Sequence, residues 1–80
     1  MEFTRVFASI LENEHLNQTE LARSLHVSKQ AITNLKKGIS FPSLELLCAI
    51  AEYFNVSTDY LLGLEDEFGN KIYSNTEKKE

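Results

Sequence analysis

Apolar residues recur three or four positions apart along most of this chain, the spacing that puts side chains on one face of a helix. Residues that begin or end helices bound each run, chiefly Asn and Ser before it and Gly after it. The pattern predicts five helices, over about residues 2–14, 18–25, 29–37, 44–54 and 58–62. In the fourth helix we expect five apolar residues to close the core: Leu44, Leu47, Ile50, Ala51 and Phe54.

The link between the second and third predicted helices is only a few residues long. Asn17 is a suitable N-cap for the second helix, and Glu20 can reach back to complete a capping box. Ser28 can cap the third helix, and Gly38 can take the left-handed conformation that ends it. His26 stands in the turn, where positive φ is tolerated at some cost. So short a link forces the helices to cross steeply, which predicts a helix-turn-helix.

Polar side chains cover the outward side of the third predicted helix. At about 100° per residue, Ala31, Ile32 and Leu35 point towards the core. Gln and Asn can pair with adenine in the major groove of DNA, Lys can donate to guanine, and the Thr methyl group can touch that of thymine. A solvated surface is the alternative interpretation of this face. Its outward residues are Lys29, Gln30, Thr33, Asn34 and Lys37.

Residues 18–38 follow the order Q-x-x-L-A-x-x-L-x-V-S-x-x-x-I-x-x-x-x-x-G, and residues 41–62 read FPSLELLCAIAEYFNVSTDYLL. In this order the chain resembles the Cro/C1-type (lambda-repressor-like, XRE-type) helix-turn-helix family over roughly residues 3–63. The resemblance implies an all-α fold, a compact bundle of five short helices, with DNA as the partner.

The resemblance also implies roles for individual residues. Gln18 matches the family position that binds a DNA phosphate, and Lys29, Gln30 and Asn34 match the positions that point at base edges. We therefore expect base reading by Lys29, Gln30, Thr33 and Asn34, and phosphate binding by Gln18, Lys37, Ser40 and Ser43.

Three positions depart from the family pattern: Lys36, Leu11 and His26, the last at a turn position where the family often has Gly. Many members have Glu at the position of Lys36 and Arg at the position of Leu11, and these two side chains form an ion pair. Both halves of the pair are replaced here. We expect the fold to tolerate this, because an ion pair can be lost without loss of the core.

The formal net charge of −4 is unevenly distributed. Residues 17–38 carry four basic residues against one acidic residue, a local charge of +3, whereas residues 41–80 carry eight acidic residues against three lysines, or −5. Charges more than roughly 10 Å from a phosphate are largely screened at moderate salt. An acidic chain polarised in this way can still bind DNA.

Length and composition indicate one small domain. A single cysteine, Cys48, excludes an intrachain disulfide and fits a reducing cytoplasm, and its apolar neighbours predict that it is a small buried residue. The longest apolar segment, residues 46–51, is too short to cross a bilayer. We expect a cytoplasmic protein that does not associate with membranes.

The residues of an enzyme site are missing. His15 and His26 lie eleven positions apart, in no metal-binding spacing, and the three glycines form no phosphate loop. We therefore expect no catalysis, no metal or other cofactor, and no small-molecule substrate.

Residues 65–80 are expected to form a tail after a domain of residues 1–64. Gly69-Asn70 suits a tight turn between Phe68 and Ile72-Tyr73, so a short hairpin is possible. Apolar residues near this segment could form the contact of a two-fold dimer or could complete the core of the monomer: Tyr53, Tyr60, Leu61, Leu64 and Phe68.

Two functional hypotheses follow. The first is a sequence-specific regulator of transcription, most simply a repressor, which binds an inverted repeat in double-stranded DNA as a homodimer. The second is a protein-interaction module that keeps the fold, such as an antitoxin or adaptor, and binds its partner through the acidic face or the tail. The outward residues of the third helix favour the first.

Overall fold

The structure is a computed structural model that describes residues 2–66 and 68–71. It has five helices in this part of the chain: α1 (Glu2–Glu14), α2 (Gln18–Leu25), α3 (Lys29–Lys37), α4 (Leu44–Phe54) and α5 (Thr58–Leu61). The prediction of an all-α bundle of five helices is confirmed. The first four helices have the predicted bounds, and α5 ends one residue early, at Leu61, with Leu62 as its C-cap.

Polar side chains cap the beginnings of four helices. Asn17, Ser28, Ser43 and Ser57 each accept hydrogen bonds from backbone N–H groups in the first turn of α2, α3, α4 and α5 respectively. At α2, the Oδ1 atom of Asn17 accepts from the N–H of Thr19 at 2.8 Å. These caps explain why the bounds could be predicted, since they satisfy N–H groups that have no partner within the helix.

One apolar core joins the helices. Helix α1 packs against α3 and α5, α2 packs against α3 and α4, and α4 also packs against α5. Phe3 and Phe7 stack within the core, with ring centroids 5.3 Å apart and planes inclined by 13°. The largest fully buried side chains are Phe3, Phe7, Leu21, Ile32, Ile50 and Leu61.

Two expectations for α4 were wrong. Leu44 is 82% exposed rather than buried, and Cys48, one turn later, is also exposed. The apolar run of α4 is wider than the strip that faces the core, and Leu47, Ile50 and Ala51 fill that strip. Because Leu44 and Cys48 are four positions apart, they share the opposite side of the helix. Phe54 is half-buried and packs against the core.

The turn of the helix-turn-helix contains the predicted left-handed residue. His26 has φ 59° and ψ 39°, and its N–H donates to the carbonyl of Arg23 at 3.2 Å. The N–H of Val27 then donates to the carbonyl of Ala22 at 3.0 Å. These two bonds close the end of α2 and direct the chain into α3.

We expect His26→Gly to stabilise the protein by up to about 1 kcal/mol. The left-handed conformation costs an L-residue roughly 1–2 kcal/mol, and glycine avoids this cost. The gain is reduced by about 0.4–1 kcal/mol, because glycine gives the unfolded chain more conformational freedom. Urea denaturation of both proteins measures the difference. A clear loss of stability would show that the His26 side chain makes a stabilising contact that the backbone geometry does not reveal.

A tight turn follows α5. Glu65 and Lys71 form an isolated antiparallel bridge, and the Nζ atom of Lys71 binds the carboxylates of Asp59 at 2.8 Å and Glu65 at 3.3 Å. These hydrogen bonds raise the pKa of Lys71, and the bond with Asp59 has the larger effect. The hydrogen bond from the backbone N–H of Asn70 is the main cause that lowers the pKa of Asp66. This turn is the described part of the predicted hairpin, while Ile72 and Tyr73 lie outside the described residues.

The five apolar residues for which the sequence left a dimer contact and the monomer core as alternatives are divided between the two by the fold. Leu61 is fully buried and Tyr60 packs against the core, as the monomer alternative required. Tyr53, Leu64 and Phe68 remain exposed, Phe68 by 80%. The division into a domain of residues 1–64 and a tail of residues 65–80 stays a prediction.

No helix in the described ranges is long and apolar enough to span a membrane.

Candidate nucleic-acid interface

Helix α3 is held to the rest of the molecule by one side only. Ile32 is fully buried and Leu35 nearly so, and both belong to the shared core. The hydroxyl oxygen of Ser28 accepts from the N–H of Ala31 at 3.0 Å, and Gly38 ends the helix with φ 79°. A helix anchored in this way presents its opposite side to solvent over its whole length.

The predicted base-reading residues lie together on this free side. Lys29 and Gln30 are exposed, and Thr33 and Asn34 are partly exposed. Lys37, predicted to bind phosphate, is exposed on the same side at the last turn of α3. The helix therefore brings together five of the eight residues singled out from the sequence.

A hydrogen bond orients the two amides of this face. The Nε2 atom of Gln30 donates to Oδ1 of Asn34 at 2.9 Å, across one turn of the helix. An amide NH₂ group has two donors, so Gln30 keeps its carbonyl oxygen and its second N–H for another partner. Those two groups are the pair that adenine requires in the major groove, an acceptor for N6 and a donor for N7.

Thr33 has a hydrogen bond within the helix. Its hydroxyl donates to the carbonyl of Lys29 at 3.2 Å. This bond uses the hydroxyl proton, so the groups left for a ligand are the methyl group and the lone pairs of the oxygen. The methyl group of Thr33, three residues after Gln30 on α3, suits contact with the methyl group of thymine.

The remaining predicted residues lie around α3 rather than on it. The loop that contains Ser40 is tied to the helix, because the carbonyl of Asn34 accepts from the N–H groups of Ile39 at 2.9 Å and Ser40 at 3.4 Å. Ser43 caps α4, and its hydroxyl oxygen accepts from Leu46 at 3.2 Å, which leaves its O–H free to donate. Gln18 is the first residue of α2 and is half-buried in a groove beside the end of α3.

The loop also exposes apolar side chains that sequence reasoning missed. Ile39 is 68% exposed and Phe41 is 53% exposed, and Leu44 follows at the start of α4. The signal was available, since Ile39 and Phe41 fall between two predicted helices and belong to no helical repeat. Their position makes an apolar border to the polar face of α3.

Among the residues that the structure describes, the positive charges of α3 are not neutralised by ion pairs. In residues 2–66 and 68–71 the ion pairs are formed by Arg5 with Glu2 and by Lys71 with two carboxylates. Lys29, Lys36 and Lys37 form none within 4.0 Å in this part of the chain. Their ammonium groups are available to an anionic partner.

A protein-family model described as helix-turn-helix matches residues 8–61. These residues include the whole of α2, α3, α4 and α5. The chain belongs to the Cro/C1-type helix-turn-helix family. It is a member of a family of DNA-binding regulators of transcription, as the sequence predicted.

Two curated relatives are regulators. The HTH-type transcriptional activator BcrR of Enterococcus faecalis is 35% identical over 66 residues, which make up 82% of this chain and 32% of BcrR. The uncharacterized HTH-type transcriptional regulator MJ0272 of Methanocaldococcus jannaschii is 40% identical over 53 residues, which make up 66% of this chain and 80% of MJ0272. This chain thus spans about a third of BcrR. These relatives are regulators rather than enzymes, in agreement with the exclusion of catalysis.

A solved structure supports the assignment. The solution structure of the SOS-response transcriptional repressor LexA from Eubacterium rectale superposes with a TM-score of 0.75 at 30% identity. The match covers 96% of this chain and 80% of that one. A likeness over nearly the whole chain shows that the five helices have the arrangement of a helix-turn-helix regulator.

Proposed function

We propose that this family member is a sequence-specific repressor that binds an inverted repeat in double-stranded DNA as a homodimer, with α3 in the major groove. The observation that carries the proposal is the hydrogen-bonded pair of Gln30 and Asn34 on the free side of α3. The pair leaves Gln30 with the acceptor and donor that adenine requires. Because the side chain is already ordered in the free protein, little conformational entropy is lost on binding.

The other base-reading roles follow from the same face. Lys29, at the start of α3, can donate to guanine, and the methyl group of Thr33 can contact thymine. Asn34 keeps both of its N–H donors and is the second candidate for a contact with a base. Recognition is thus assigned to four residues of one helix.

Phosphate binding is assigned to residues that border this face. Gln18 at the start of α2, Lys37 at the end of α3, and Ser40 and Ser43 in the following loop each have a donor group available. Contacts of this kind set the register of the protein on the duplex and carry no base information themselves.

Lys37→Ala is expected to weaken binding by a similar factor on every duplex. The negative slope of log affinity against log salt should become less steep by about 0.9 on loss of one phosphate contact, and sequence preference should stay unchanged. Fluorescence anisotropy titrations at several salt concentrations measure both quantities, and Lys37→Arg is the charge-preserving control. A changed order of preference among related duplexes would instead assign Lys37 to base reading.

A homodimer is proposed because one helix of this length contacts only a few base pairs. Two copies with recognition helices about 34 Å apart would read both halves of an inverted repeat. The exposed Tyr53, Leu64 and Phe68 supply apolar surface for a second copy. Sedimentation in the presence of a duplex enriched by selection from random DNA should give two protein chains per duplex. One chain per duplex would contradict the dimer.

Repression is proposed because occupation of a promoter is sufficient to exclude polymerase. Among the similar proteins BcrR is an activator and LexA a repressor, so similarity alone favours neither direction. The test is a reporter gene with the selected site placed in its promoter. We expect production of this protein to lower reporter output, and increased output would assign activation.

The proposal as a whole is tested by selection from random duplex DNA. The expected product is an inverted repeat whose half-site centres are about one helical turn apart. If no sequence is enriched by a chain that is folded, the protein-interaction alternative takes its place.

A further inference from the structure

An open groove lies between α1, the start of α2 and the end of α3. It is beside the side of α3 that carries the proposed base-reading residues, here called the reading face. Its volume is about 380 Å³. Three apolar side chains, Ala8, Leu11 and Leu16, contribute to its lining, and the polar groups come from Glu12, Gln18 and Lys36. The groove therefore brings Lys36 next to the proposed phosphate ligand Gln18.

Lys36 lies on the edge of the reading face rather than on the buried side. It follows Lys29 by seven residues, nearly two full turns, so both side chains leave α3 in similar directions. Both are exposed, and Lys36 forms no ion pair with the residues that the structure describes. This edge of α3 thus carries a cation near each end, and Gln18 shares the groove at the second.

Two side chains of the groove favour binding of an anion, and one carboxylate repels it. The ammonium group of Lys36 is a donor only, and the amide of Gln18 supplies further donors. The carboxylate of Glu12 lines the same groove and opposes an anion there. A DNA phosphate is the anion that would be presented along the edge of a helix seated in the major groove.

We propose that Lys36 binds a backbone phosphate of DNA from this groove, beside Gln18, and that Glu12 weakens the contact. The inference rests on the proposed function and deepens it by adding a contact on the α1 side of the reading helix. It assigns opposite effects to two neighbouring charges.

The test uses the full chain and the selected duplex, with salt titrations of matched variants. Lys36→Gln is expected to reduce affinity by about three- to eightfold at 0.1 M salt. The negative slope of log affinity against log salt should become less steep by about 0.9, the value for one phosphate contact. Lys36→Arg should retain both the affinity and the slope. Glu12→Gln should raise affinity by about two- to fivefold, the range of an exposed charge pair.

The controls remove the same charges elsewhere. Arg5, on the first turns of α1, lines a different groove together with Tyr60 and Phe68, and Glu52 is exposed on α4. Arg5→Gln and Glu52→Gln should therefore change affinity much less than the paired variants. Thermal unfolding of each variant without DNA checks that its stability is unchanged.

The outcomes separate this inference from the function on which it rests. If wild-type protein binds and Lys36→Gln has no more effect than Arg5→Gln, the phosphate contact is wrong while sequence-specific binding stands. If Glu12→Gln lowers affinity, the assignment of opposing charges in the groove is wrong. If the wild-type protein shows no preference for any duplex, the proposed function itself fails.

Discussion

Replacement of Gln30 and Asn34 together by alanine is expected to remove most of the discrimination between the operator and unrelated DNA. A good bidentate amide–base pair contributes about 1–3 kcal/mol of discrimination, so loss of the Gln30 pair together with the Asn34 contact should remove at least about 1–3 kcal/mol. Binding to unrelated DNA should change little, because phosphate contacts supply it. Competition titrations with operator and scrambled duplexes measure the ratio.

The single variants sharpen this test. Because Gln30 donates to Asn34 at 2.9 Å, each alanine substitution also releases the orientation of the other amide. We therefore expect the two single effects to be non-additive in a double-mutant cycle. Alanine is a better helix former than Gln or Asn, so circular dichroism should report an intact α3. Retention of full operator discrimination by the double variant would show that these residues do not read the bases.

Ile32→Ala is expected to destabilise the protein by about 2–5 kcal/mol, the range for truncation of a buried Leu or Ile side chain. Ile32 is fully buried and fixes α3 to the core directly behind the reading face. A small domain is stable by only about 5–15 kcal/mol, so the variant should lose a large fraction of its free energy of unfolding. Chemical denaturation gives the free energy of unfolding.

Ile39→Ala is the matched control, because it removes the same atoms from a side chain that is 68% exposed. Its effect should stay within about 0.5 kcal/mol, as for most surface substitutions. If the two variants lost equal stability, the packing assigned to α3 would be incorrect. If Ile39→Ala weakened DNA binding with stability unchanged, the apolar border of α3 would belong to the interface.

The helices and their ends were predictable because short-range chemistry determines them. Asn17, Ser28 and Ser43 cap their helices through bonds that span only two or three residues, and Gly38 takes the left-handed conformation that glycine favours. The inward side of α3 followed from the spacing of Ile32 and Leu35. Local spacing is sufficient for such features.

Burial was less predictable where an apolar run exceeds the face that the core can cover. Leu44 and Cys48 belong to such a run in α4 and are exposed. In α1, Phe3 is fully buried and stacks on Phe7. Which apolar residues are covered depends on the packing of neighbouring helices, which periodicity within one helix does not contain.

The sequence predicted which residues form the candidate interface, but it did not predict the contacts among them. The outward position of Gln30 and Asn34 follows from 100° per residue, whereas the hydrogen bond between them required coordinates. The groove of Gln18 and Lys36 joins residues eighteen positions apart on different helices. Sequence spacing alone does not relate them.

The most direct test of the central claim, that α3 reads DNA sequence, is a titration of the selected duplex and of its scrambled version at two salt concentrations. We expect the selected duplex to bind at least about 10³-fold more tightly, with both affinities falling steeply as salt increases. Equal affinities for the two duplexes would contradict sequence reading by α3, and affinities that do not respond to salt would contradict binding through the DNA backbone.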